Sequence, residues 1–127
     1  MITAQQVYDI MATLPDDKGN PSEYGTCVYT DPYDTNNHCI AGEVISRLGY
    51  RLPDIDSYMN EESLYELLDN KNYTLSDRDF EPLALAMLVK AQGIADLATD
   101  KEEENPWGRA KKCAFDIYNL DPSFKEV

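Results

Sequence analysis

The sequence predicts an α+β fold, a mainly helical single domain of about five helices with a small antiparallel β-hairpin. Three observations predict it. Apolar residues recur at helical spacing in five stretches, and Tyr24–Thr30 reads as a strand. A polar turn then separates that strand from a helix opening at His38-Cys39. No internal repeat and no domain boundary interrupts residues 1–127, which is the length of one domain.

The first helix starts with a capping box, Thr3 followed by Gln6, and continues through Val7, Ile10, Met11 and Leu14 until Pro15 stops it. Asp16–Glu23 is turn-forming, with Gly19, Asn20 and Pro21 each restricting the backbone. After the strand, Asp31–Asn37 is too long for a tight two-residue hairpin turn. The second helix places Ile40, Val44, Ile45 and Leu48 on one side and ends at Gly49, the usual left-handed cap.

Tyr50–Tyr58 carries Pro53 and reads as a connection. A short helix follows from Asn60 to Asp69, and a second short strand is expected at Tyr73–Leu75. The longest helix starts at Ser76 or Asp79 and runs to about Ala98, tolerating Pro82 because it falls in the first turn. Its seam is Leu83, Met87, Ala91, Ile94 and Ala98. Lys101–Glu104 is a solvated acidic link, and Asn105-Pro106 starts the last helix, whose inner face is Trp107, Ala110, Cys113, Ala114, Ile117 and Tyr118.

A hydrophobic content of 43% is enough for a core. A chain of this length buries roughly two thirds of its unfolded surface. Acidic residues outnumber basic ones 24 to 11, a net charge of −13 spread along the whole chain. That balance disfavours direct binding to nucleic acid or an anionic membrane, because phosphate contacts need Lys and Arg clusters. It suits a basic protein partner, a cation, or plain solubility. No stretch approaches a membrane span, and Met1–Ile10 lacks the basic patch and apolar core of a signal peptide. The three cysteines are therefore expected to be reduced, in a cytoplasmic protein.

Cys39 is the sharpest chemical candidate, since a thiol at a helix N-terminus feels the positive end of the helix dipole. His38 is the only histidine and lies beside it in sequence. Neighbours in an extended segment point to opposite sides, so the two make an awkward nucleophile–base pair. A buried cysteine packing on the first helix accounts for the same residue. Cys27, His38, Cys39 and Cys113 have the ligand types of a zinc site but none of its usual knuckle spacing. A Cys27–Cys39 disulfide across the hairpin is geometrically possible and would not persist in a reducing cytosol. No metal site and no cofactor is expected.

The acidic clusters Asp54/Asp56, Glu61/Glu62 and Asp77/Asp79/Glu81 lack the calcium-loop pattern and suit solvated faces and helix starts. No glycine-rich phosphate loop, GxSxG or HExxH occurs. Nine tyrosines are the one compositional oddity. Tyr24, Tyr29, Tyr33, Tyr50, Tyr58 and Tyr73 fall in or near loops and strand ends, outside the helical seams. Tyrosine offers large contact area at low entropy cost, which suits a binding surface; a half-buried sheet rim would use it equally.

The segments CVYTD…HCIAGEVISRLG, LVKAQGIAD and NPWGRAKKCA resemble a group of small uncharacterised proteins of actinobacteria and actinobacteriophages. The shared pattern is CxY…CIxG…LG followed by QxxxD…PWGxA. Here it falls on Cys27, Tyr29, Cys39, Ile40, Gly42, Leu48, Gly49, Gln92, Asp96, Pro106, Trp107, Gly108 and Ala110. The resemblance implies a shared fold and a phage or phage-derived setting, with host-cell cytoplasm as the compartment, and it implies no activity. It also suggests that Gln92, Asp96 and Trp107 converge near Cys39.

The function expected from these readings is a small acidic accessory protein that binds a host or phage protein. Inhibition, or mimicry of nucleic-acid charge, would be its mode of action, with Tyr29, Tyr33, Gln92, Asp96 and Trp107 as binding residues. The alternative is a small-ligand-binding protein or cysteine-dependent enzyme centred on Cys39 and His38.

Overall fold

The computed structural model describes residues 1–20, 22–23, 26–27, 30–31, 34–50 and 77–120, with side chains from 22 to 38 and at 77 left aside. Four α-helices carry the fold among these residues: α1 (Ala4–Ala12), α2 (Ile40–Arg47), α3 (Pro82–Asp100) and α4 (Pro106–Leu120).

The expected α+β class is corrected by this architecture. The molecule is mainly helical, and no β-hairpin stands as an element of the fold. Where a strand was expected, the backbone makes only brief antiparallel contacts, Ser22–Glu23 with Thr26–Cys27 and Thr30–Asp31 with part of Asp34–His38. Ladders this short do not make an independent sheet, and the described core lies mainly on the helices. The expected connection after Tyr50, the helix Asn60–Asp69 and the strand Tyr73–Leu75 lie outside the described residues.

Local signals set the ends of α1 and α2. At α1 the capping box forms in both directions: the Gln6 amide donates to Thr3 Oγ1 at 3.1 Å and the Thr3 amide to Gln6 Oε1 at 2.8 Å. Ala4, Val7 and Met11 face the core. Helix α2 buries Ile40, Ala41, Gly42, Val44 and Ile45, and Gly49 follows it at φ 93°, the left-handed conformation that favours glycine.

Helix α3 begins at Pro82, three to six residues later than the sequence suggested, because Asp77–Asp79 forms a 3₁₀ turn instead. Main-chain bonds then join Ile2 to the chain on either side of Phe80: the Ile2 amide donates to Asp79 O and the Glu81 amide to Ile2 O. Glu81 Oε2 also accepts from the Ala4 amide at 3.0 Å, placing negative charge at the positive end of α1.

Helix α3 is the centre of the molecule. It buries Leu83, Ala84, Met87, Leu88, Val89, Ala91, Gln92, Ala95, Asp96 and Ala98, more than one stripe, whereas Ile94 of the expected seam is only half-buried. Its most extensive packing is against α4, with α1 and α2 also lying against it. Ala91 and Ala95 of α3, and Ala110 and Ala114 of α4, are fully buried, and such small residues let helices approach closely. Tyr8 of α1 packs on Phe115 and Tyr118 of α4 at ring separations of 4.4 and 4.8 Å.

Candidate functional site

A buried polar cluster joins α2, α3 and α4 at the start of α2. Cys39 is the N-cap of α2, fully buried, and its Sγ accepts from the Gly42 amide at 3.2 Å. The two preceding amides of that turn are taken by side chains from elsewhere. Ile40 N–H donates to Asn20 Oδ1 at 3.0 Å, and Ala41 N–H donates to Gln92 Oε1 at 3.0 Å. A helix start leaves such donors without intrahelical partners. Here Asn20 Oδ1, Gln92 Oε1 and Cys39 Sγ each accept from one of them.

Gln92 and Asp96 sit one turn apart on α3. Both Gln92 Nε2 and Asn20 Nδ2 donate to Asp96 Oδ1, at 3.1 and 2.6 Å. The cluster is closed by Trp107, whose indole Nε1 donates to Asn20 Oδ1 at 2.8 Å from the first turn of α4. Trp107 is only 1% exposed, and the Lys18 ammonium stands 4.6 Å from its ring centroid. The convergence of Gln92, Asp96 and Trp107 beside Cys39 is thus a feature of the fold.

Residues Asp16–Asn20 are held against the start of α4. Trp107 N–H donates to Lys18 O at 3.0 Å and Gly108 N–H to Asp16 O at 2.9 Å. A Cβ on Gly108 would stand 3.0 Å from Asp16 Cβ, which explains a glycine after Trp107. Lys111, also buried, donates to Leu14 O and Asp16 Oδ1, each at 2.7 Å.

Of the remaining predicted residues, Cys113 has a described side chain. Cys113 is a half-buried thiol on α4, beside a surface hollow of about 540 Å³ lined also by Ile94, Leu97, Ala98 and Lys112. Another hollow, of about 210 Å³, is lined by Met1, Ile2, Gln6, Leu48, Tyr50 and Asp79. Neither is lined by a residue of the polar cluster. His38 and Cys27 belong to the short extended segments, their side chains not described, and Tyr29 and Tyr33 lie outside the described residues. Among the described residues no group of three His, Cys, Asp or Glu could hold a metal ion.

Chemically, the cluster is a framework of hydrogen bonds among side chains and main-chain amides. The thiol that sequence ranked as the sharpest nucleophile is 0% exposed, so a substrate has no path to its sulfur in this conformation. The residue missed by sequence reasoning is Asn20, which holds the cluster together. Gly19-Asn20-Pro21 has the composition of an ordinary turn, and nothing local marks its carboxamide as buried.

Compared with protein-family models, with curated proteins and with solved structures, the chain matches none. Within the described residues, the motif residues Cys39, Ile40, Gly42, Gln92, Asp96, Pro106, Trp107, Gly108 and Ala110 build this cluster or support it. Packing and hydrogen bonding give these residue types a role without any reaction.

Proposed function

We propose that the chain is a small acidic accessory protein of phage type, active in the host cytoplasm, which inhibits a host or phage protein by binding it. The observation that carries this reading is the hydrogen bond from Ile40 N–H to Asn20 Oδ1. It brings together the two ends of the segment Pro21–His38. That segment contains Tyr24, Tyr29 and Tyr33, the acids Glu23, Asp31 and Asp34, and neither Lys nor Arg. Connecting segments whose ends are held close on a packed unit are frequent carriers of binding function. Tyrosines with interspersed carboxylates suit a partner presenting Lys and Arg, through cation–π contact and charge complementarity.

Gln92, Asp96 and Trp107 serve this function through their bonds to Asn20 and to the start of α2 rather than as contacts. No helix among the described residues is long and apolar enough to cross a membrane. Mimicry of nucleic-acid charge is the special case in which the partner is itself a DNA-binding protein.

Affinity capture from host lysate tests the reading. A partner retained by the wild type is expected to be lost with the double variant Tyr29→Ala/Tyr33→Ala, and to elute as salt is raised through ~0.15 to 1 M, where screening becomes short-ranged. Added duplex DNA displaces a partner bound by mimicry. Equal retention by wild type and double variant contradicts the assignment of the binding surface.

A further inference from the structure

We infer that Asn20 is a positioning residue that fixes both ends of the segment Pro21–His38 to the helical unit; its consequence for a partner rests on the binding reading above. Asn20 is itself the residue at which the segment departs, and its main-chain N–H donates to Thr99 Oγ1 at 3.1 Å on α3. The segment returns at Cys39, and the next amide, that of Ile40, is bound by the Asn20 side chain.

The same carboxamide oxygen receives the Trp107 indole, while the nitrogen donates to Asp96. One side chain therefore ties departure and return to α2, α3 and α4 at once. The bonding also dictates the residue type. Two donors meet the oxygen and one carboxylate meets the nitrogen, so the amide cannot be turned round without facing donor to donor. Aspartate keeps the acceptor and loses the donor, and it sets a second carboxylate beside Asp96. Serine is too short to span the three partners.

Holding the ends of this 18-residue excursion together removes conformational freedom that it would otherwise have. A partner then meets a segment whose base is already ordered, which lowers the entropic cost of binding. Asn20, at 5% exposure, does this without touching the partner.

Limited proteolysis with chymotrypsin tests the inference on the free protein. Tyr24, Tyr29 and Tyr33 report on the segment, whereas Tyr8 and Tyr118 report on α1 and α4. In Asn20→Ala, cleavage at the three segment tyrosines is expected to accelerate about tenfold, as when local opening becomes easier, with Tyr8 and Tyr118 unchanged. Equal acceleration at all five sites, or none at any, overturns it. Should Asn20→Ala lack helical circular dichroism, Thr99→Val decides, because it leaves the Asn20 side chain in place and removes the acceptor of the Asn20 main-chain N–H at the departing end. Helical signal with acceleration confined to the segment supports the inference, and a wild-type or uniform cleavage pattern overturns it. The binding reading fails separately, through unchanged capture by Tyr29→Ala/Tyr33→Ala, so the two failures are distinguishable.

Discussion

Trp107 fills the junction of α4 with the cluster, and its ring and its N–H make separable contributions. Trp107→Ala removes the whole buried ring and is expected to destabilise the protein by about 3–5 kcal/mol, read from the denaturant midpoint. Trp107→Phe keeps most of the apolar volume and removes one of the two donors to Asn20 Oδ1, leaving that of Ile40, with an expected cost of about 0.5–1.5 kcal/mol. A midpoint unmoved by Trp107→Ala would place the ring outside the core. The cysteines offer an independent check: under native conditions Cys113 is expected to alkylate well before Cys39, with peptide mapping as the readout. Rapid labelling at Cys39 would revive the nucleophile reading. Burial of Trp107 was legible in sequence because Asn105-Pro106 sets the helix start and therefore which face Trp107 shares with Ala110 and Ala114. Asn20 was not legible, because its partners at Asp96 and Trp107 lie 76 and 87 residues away in sequence. A turn asparagine and a buried one look the same locally.

At the scale of elements, helix ends were legible where the cap is local and obscure where it is remote. Thr3 and Gln6 cap each other across three residues, and the box forms as expected. Thr3→Ala should cost about 0.5–2 kcal/mol, the usual range for losing an N-cap. The start of α2 depends instead on Gln92, 51 residues from Ala41. Gln92→Ala leaves the Ala41 amide without its acceptor and is expected to cost about 1–3 kcal/mol by thermal or urea unfolding. A smaller loss than that of Thr3→Ala would mean that water replaces Gln92 and that the cluster does not organise α2. The hairpin failed as an expectation for a related reason. Strand propensity in Tyr24–Thr30 describes how residues suit a sheet, and a strand persists only where partner strands of adequate length exist. The described partners are only a few residues long.

The whole molecule combines a helical unit, an acidic net charge and a tyrosine-bearing segment whose ends meet at one buried carboxamide. Composition alone carried the charge argument, which disfavours a phosphate-binding face and needed no distant pairing. What the site does required the fold, because the same Cys, Gln, Asp and Trp pattern suits a reactive centre or a support until burial and bonding are known. Native-state amide hydrogen exchange tests the supporting role most directly. The account predicts that Ile40, Ala41 and Gly42 exchange as slowly as the core of α3, although the first turn of a helix ordinarily exchanges fast. It further predicts that Asn20→Ala accelerates Ile40 and that Gln92→Ala accelerates Ala41. First-turn amides of α2 that exchange at frayed-end rates in the wild type, indifferent to both substitutions, would contradict it.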